Sequence, residues 1–131
     1  MIFGIGTDLI EIERIKKACE KQAFLSRVYT EEECRQAGGS AVRLAGNFAV
    51  KEAVAKAFGT GFRRFGPGDI EVLRDPLGKP FVNLYGGARL VAEELGIEKL
   101  HVSISNTAQL AQAYVIAERV EVCVHEREKN A

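Results

Sequence analysis

Residues 47–61 read NFAVKEAVAKAFGTG. Small, straight-chain and apolar residues dominate, and Gly59 stands where a helix would stop, so the stretch predicts a helix. At about 100° per residue, Glu52 lies about 40° and Lys56 about 80° round from Phe48. Ala49, Ala53 and Ala55 point close to them, while Val50, Val54, Ala57 and Phe58 occupy the opposite side. A helix apolar nearly all round belongs inside a protein, with other elements packed on it. Lys51, Glu52 and Lys56 are therefore out of place: a carboxylate taken from water needs a partner or a metal. An ordinary i,i+4 ion pair between Glu52 and Lys56 is the plain alternative.

Around this helix the chain alternates between two kinds of pattern. Ile2–Gly6 (IFGIG) reads as a short buried strand whose glycines let another backbone approach, with Asp8 just past its end. Residues 11–21 predict an amphipathic helix with Ile12, Ile15 and Cys19 inward and Arg14, Lys17 and Lys21 as a basic stripe elsewhere. TEEE at 30–33 is a capping-box signal for a second helix, broken by Gly38 and Gly39. Ser40 is placed to cap the long helix over 41–58. A glycine-rich loop, GTGFRRFGPG, covers 59–68. IEVLR (70–74) and PFVNL (80–84) read as strands joined by the turn DPLGK. Residues 87–95 predict a short helix ended by Gly96, LHVSIS (100–105) an alternating strand, NTAQ a turn, and 110–122 a long last strand before a frayed tail. The expected class is α+β, a single domain over 1–131, with helices covering one face of a mainly antiparallel sheet.

The 131 residues, 47% of them apolar and 27% charged, suit one modest core, and a core of that size favours self-association. Zero formal net charge argues against general nucleic-acid binding. Cys19, Cys34 and Cys123 form no CxxC or Cys/His cluster, which speaks against structural zinc and suits a reducing compartment. The start carries acidic residues and no basic leader, and no apolar run reaches the roughly 20 residues of a membrane span. A cytoplasmic location without membrane association is expected.

Asp8 and Glu52 are the first candidates for chemistry. Magnesium takes a few carboxylates, water and substrate phosphate, and two carboxylates from distant elements meet that need; a turn or capping role for Asp8 competes. Backbone exposed by GTG and GPG, beside Arg63 and Arg64, suits phosphate, although the P-loop spacing is missing. A flexible connection with solvated arginines would look the same. His101 on HVSIS could donate to phosphate or act as an acid or base, or be a half-exposed strand side chain. No nucleophile elbow surrounds Ser103 or Ser105. The basic stripe could receive an acidic helix, or simply face solvent.

Taken together, GIGTDLIEIERI, LAGNFAVKEAVAKAFGTG, LGKP and HVSIS, in that order, resemble the holo-acyl-carrier-protein synthases, small bacterial 4'-phosphopantetheinyl transferases. The similarity runs to about Arg119. It implies transfer of phosphopantetheine from coenzyme A to a serine hydroxyl of apo acyl carrier protein, leaving adenosine 3',5'-bisphosphate. It further implies magnesium held by Asp8 and Glu52 and Lys56 near the coenzyme A phosphates. Gly59, Gly61, Lys79, Pro80 and His101 join them as coenzyme A contacts. Homotrimers with sites between subunits are implied, as is a carrier docked on the first helix through Arg14, Lys17 and Lys21. Glu52, or a water on the metal, is the expected proton acceptor. Many relatives have arginine where this chain has Asn47 and histidine where it has Asn106, and an asparagine at 106 rules out a base there. Two rival activities remain at this stage: a non-catalytic module binding coenzyme A or an acidic helix, and a metal-dependent phosphohydrolase.

Overall fold

The computed structural model describes residues 1–120. At its centre is α4 (Ala41–Phe58), whose buried residues include Leu44, Ala45, Ala49, Val50, Lys51, Ala53, Val54, Ala57 and Phe58. Ser40 accepts a hydrogen bond from the Arg43 amide at its start, and Gly59 ends it with φ of 77°. That is a left-handed residue at the helix stop, where glycine bears no steric cost.

One side of α4 rests on a three-stranded antiparallel sheet of order β1–β5–β4, made of β1 (Ile2–Glu11), β5 (Leu110–Arg119) and β4 (Ile97–Asn106). The approach is unusually close because β1 has no side chain there. A Cβ on Gly6 would lie 1.8 Å from the Ala53 carbonyl oxygen, and one on Gly4 would lie 2.1 Å from that of Ala57. The facing residues Ala113, Val115 and Ala117 of β5 are fully buried. Small residues on both sides bring backbone to backbone, and the dense packing that results favours one fixed arrangement. The opposite side of α4 meets a two-stranded antiparallel hairpin, β2 (Ile70–Arg74) and β3 (Pro80–Leu84), and α5 (Gly86–Leu95), whose Val91 and Ala92 join the same core as Ile70 and Val72.

A second cluster of buried residues sits by the first half of α4. Here α1 (Ile12–Ala18) contributes Ile12 and Ile15, α2 (Gln22–Val28) contributes Val28, and α3 (Glu31–Ala37) contributes Ala37. The capping box at Thr30 is present: the Thr30 side chain accepts from the Glu33 amide, and the Thr30 amide donates to Glu33 Oε1 at 3.2 Å.

The α+β class and the antiparallel pairing agree with the sequence. Four details do not. The first strand extends to Glu11, so Asp8 lies inside it rather than past its end. Its last residues pair with β5 from Ala113 to Leu110, and that pairing holds them extended. The expected helix over 11–21 ends at Ala18, and α2 follows it, unforeseen, because the apolar spacing restarts at Phe24, Leu25 and Val28 only when α4 is there to receive it. The strands form two sheets rather than one: β3 runs near β4 but forms no hydrogen-bonded ladder with it. Finally, β4 begins at Ile97 rather than 100. The proposed end of the last strand at 121–122 and the tail lie outside the described residues, and no helix among those described is long and apolar enough to cross a membrane.

Candidate active site

Alternation along β1 aims Asp8 toward α4, since Gly4, Gly6, Asp8 and Ile10 share the inner face. Asp8 and Glu52, 44 positions apart in the chain, line one hollow of about 340 Å³ together with Glu11, Arg14, Phe48 and Leu110. Lys56, one turn beyond Glu52, does not pair with it as the i,i+4 spacing suggested. Its Nζ donates instead to the Thr7 carbonyl at 2.9 Å and to Asp8 Oδ1 at 3.3 Å. The tight β1–α4 contact makes that choice: strand carbonyl and carboxylate lie closer to hand than a neighbour on the same helix.

Burial pushes the Glu52 carboxyl above its usual range; the negative charge of Asp8 adds to the rise, and Lys56 partly offsets it. Two carboxylates facing one lysine, with Glu52 held back from ionising, make a site short of positive charge. The donor set fits magnesium: hard oxygens from two rigid elements, with a hollow open to further oxygen ligands. Among the described residues no group of three or more His, Cys, Asp and Glu side chains converges, so water and substrate would have to complete the coordination.

The other sequence candidates fall in separate places. Gly59 and Gly61 follow Lys56 at the end of α4, where the Gly59 amide donates to the Lys56 carbonyl. Lys79 and Pro80 lie on the β2–β3 hairpin, whose turn is built by Asp75: its Oδ1 accepts from the Leu77 and Lys79 amides, each at 2.9 Å. His101 faces outward from β4, exposed, 3.1 Å from Glu118. Within one chain it therefore points away from Asp8. Arg64 is no longer available in the way the loop sequence suggested, since its guanidinium grips Glu94 at 2.5 and 2.8 Å. Arg14 and Lys17 are exposed on α1, and Lys21, also exposed, stands at the N-cap of α2, so the stripe continues across a helix junction.

The sequence marked Lys51 as out of place but gave it no partner. Lys51 is fully buried and donates to Glu33 Oε1 at 2.7 Å, to the Pro67 carbonyl at 3.0 Å and to the Ile70 carbonyl. Burial pushes Lys51 down and Glu33 up, and the attraction between them opposes both shifts. Asn47 Nδ2 donates to the same carboxylate, to Oε2 at 3.4 Å. The signal was present, a lysine in a helix with no wet face, but its partner lies 18 residues away.

This fold, with a paired-carboxylate hollow beside a central alanine-rich helix, is that of a known transferase class. The family model described as the 4'-phosphopantetheinyl transferase superfamily matches residues 4–117, and the chain belongs to that family. Within it the similarity is to holo-acyl-carrier-protein synthases. The enzyme of that name from Lachnoclostridium phytofermentans is 59% identical over 118 residues, covering 90% of this chain and 97% of the relative. That from Clostridium novyi is 49% identical, over 90% and 88%. Among solved structures, the synthase from Neisseria meningitidis superposes with a TM-score of 0.82 at 37% identity, covering 91% of this chain and all of that one. The Helicobacter pylori synthase in complex with coenzyme A gives 0.79 at 31% identity, covering 87% and 99%.

Proposed function

We propose that this protein transfers 4'-phosphopantetheine from coenzyme A to a serine hydroxyl of apo acyl carrier protein, giving the holo carrier and adenosine 3',5'-bisphosphate. The observation that carries the reading is the shared hollow of Asp8 and Glu52 with Arg14 of the exposed basic helix on its rim. It puts a place for a cation and a phosphate beside a surface suited to an acidic protein partner.

Asp8 and Glu52 would hold magnesium, which when bound supplies positive charge against the charge growing on the leaving phosphate. Lys56 adds a second positive charge on the same side. In the reaction the serine oxygen forms a bond to the phosphorus bearing pantetheine, and the bond from that phosphorus to the oxygen of the adenosine bisphosphate breaks. The hydroxyl proton leaves as this happens. Glu52, whose carboxyl is held above the ordinary range by burial and by Asp8, is suited to accept it. The nucleophile belongs to the partner, so this chain needs none of its own. Positioning and electrostatics supply most of the rate.

Arg14, Lys17 and Lys21 would receive the acidic helix of the carrier. Lys56, Gly59, Gly61, Lys79, Pro80 and His101 are the coenzyme A contacts in this reading. Arg43, which lines one hollow with Gly78 and Pro80 of the hairpin, and Glu52 are nine residues apart on α4, about 900° of rotation, and so project from opposite sides of the helix. The hairpin contacts and the carboxylates thus serve one coenzyme A only if they come from different copies of the chain. Self-association is supported by the outer face of the three-stranded sheet. Ile5 pairs with Ile116 of β5, Thr7 with Tyr114 and Leu9 with Gln112, and those three β5 residues pair in turn with His101, Ser103 and Ser105 of β4; Ile5 is 62% exposed and Leu9 60%. Exposed Ile5, Leu9 and Tyr114 on one otherwise largely polar face support an interface there, and a homotrimer formed through it is our reading. The chain forms a single domain and acts in the cytoplasm, where both substrates of such a transfer are found.

Incubating the protein with coenzyme A, magnesium and apo carrier protein tests the reading. A carrier heavier by one phosphopantetheine is the expected result. Binding of coenzyme A without that gain, or hydrolysis of coenzyme A with no carrier present, would overturn it.

A further inference from the structure

A hollow of about 380 Å³ opens between α1, α2, α3 and the start of α4, lined by Lys16, Cys19, Leu25, Cys34, Ala41 and Leu44 among others. It lies away from the basic stripe: Lys16 is about 200° and Cys19 about 140° round α1 from Arg14. Two thiols meet there. Cys19 is the C-cap of α1 and Cys34 lies within α3. Both are free, partly buried and packed against the same apolar cluster. Tyr29 links them: its side chain is hydrogen-bonded to Cys19, a negative charge on either thiol bears on it, and its hydroxyl donates to the Leu44 carbonyl at 2.7 Å. Burial pushes the Cys19 thiol up; the Tyr29 hydrogen bond opposes the rise and Cys34 adds to it. Burial also pushes Cys34 up, with Glu33 adding and Lys51 opposing. Neither is a standing thiolate, so the reduced pair lacks the stabilisation that makes some protein disulfides strongly oxidising. A disulfide here, once formed, is held.

We propose that Cys19 and Cys34 form an oxidation site that closes to a disulfide with small-molecule disulfides of the glutathione type, and that closure weakens docking of the carrier protein. The second half rests on the transferase reading. One thiolate attacks a sulfur of the small disulfide, forming a mixed disulfide and releasing one small thiol. The other thiolate then attacks the protein sulfur of that bond and releases the second. Two protein thiols are oxidised, one small disulfide is reduced to two thiols, and the two protons leave with them. In a reducing compartment the pair stays open at rest and closes when the thiol pool is oxidised. A sulfur–sulfur bond is shorter than any unbonded contact, so closure draws its two ends together. Cys34 is held in place, because Glu33 beside it is wholly buried on Lys51 and completes the cap of α3. Cys19 has more freedom, since residues 19–21 join α1 to α2 and no side chain caps the start of α2. The shift therefore falls on the α1–α2 junction, across which Arg14, Lys17 and Lys21 make one stripe.

The full chain carrying Cys123→Ser, which removes the third cysteine, is equilibrated with mixtures of reduced and oxidised glutathione and mapped by peptide mass spectrometry. The expected product is a peptide pair joined through Cys19 and Cys34, lighter by two hydrogens than its parts and separated again by dithiothreitol. Separate glutathione adducts without a joined pair, or no change in the most oxidising mixture, would overturn the proposal. Calorimetric titration with apo carrier protein then compares the joined and reduced forms, without coenzyme A, whose own thiol would reopen the bond. The joined form should bind carrier about threefold more weakly or worse, and dithiothreitol should restore the affinity. Equal affinities in the two forms would overturn the link to docking. Joined peptides from a protein that transfers nothing to the carrier even when reduced would keep the oxidation site and sink the transferase reading.

Discussion

Lys51 and Glu33 illustrate how a single residue pair sets the limits on the centre of the molecule. Both side chains are wholly buried, and the lysine is held by one carboxylate and two carbonyls. Removing one partner leaves a charge in the core, so Lys51→Met should lower stability by about 3–5 kcal/mol in denaturant unfolding. Lys51→Met combined with Glu33→Leu should recover part of that loss, because no buried charge then remains. The recovery will be incomplete, since Glu33 also completes the capping box and accepts from Asn47. At the active site the expectation is reversed. Asp8→Ala and Glu52→Ala should each cut transfer by about 10²-fold or more in the carrier-modification assay. Neither should unfold the protein, because the fold disfavours the charge of Glu52 rather than depending on it. Near-normal rates in either variant, with magnesium limiting, would rule out the metal assignment.

Among elements, the contact of β1 with α4 decides where the site forms. It works only with hydrogen at the glycine positions: the Ala53 carbonyl oxygen lies where the Cβ of residue 6 would be. Gly6→Ala should therefore destabilise by about 3 kcal/mol or more, read from thermal or denaturant unfolding, because backbone on both sides leaves nothing flexible to move. Helix α1 makes the opposite case. Its inner residues Ile12 and Ile15 are buried while Arg14 and Lys17 are exposed, so reversing a charge there leaves the packing alone. Arg14→Glu should raise the KM for carrier protein roughly tenfold and the KM for coenzyme A much less. Equal rises in both would argue against docking on this helix.

The whole molecule adds two constraints, from its surface and from its response to acid. Ile5 and Leu9 stand exposed on the sheet face that would be covered in an assembly. Ile5→Asp should give monomers in analytical ultracentrifugation, and transfer should fall with assembly if the site is shared between copies. In acid, Glu71 is the group to follow. Burial pushes its carboxyl up, but hydrogen bonds from Thr30, Asn83 and Tyr85 outweigh that and leave it below the ordinary value of 4.5. Its stabilising contribution is therefore full above that ordinary value and is lost as pH falls through the lower, folded one. Glu71→Gln should flatten the acid limb of a plot of unfolding free energy against pH; an unchanged limb would show that other groups govern it.

Local chemistry determined a good deal by itself. Alanines and valines all round residues 41–58 required a buried helix, Thr30 to Glu33 required a helix start, and DPLGK between two β-rich runs required a hairpin. Such features act within a few residues and depend on backbone preference and side-chain period, which are written in order along the chain. The Asp8 and Glu52 candidates were likewise visible, as carboxylates in unusual company. What tertiary structure alone decided is who meets whom across long stretches. Lys56 turned to Asp8 rather than Glu52, Lys51 found Glu33, Arg64 was taken by Glu94, and Arg74 was brought over Gly46 to Asn47. The reason is physical: a charge settles on whichever partner the packed backbone brings within reach, and two glycines on β1, by letting the strand lie against α4, moved that reach by several residues.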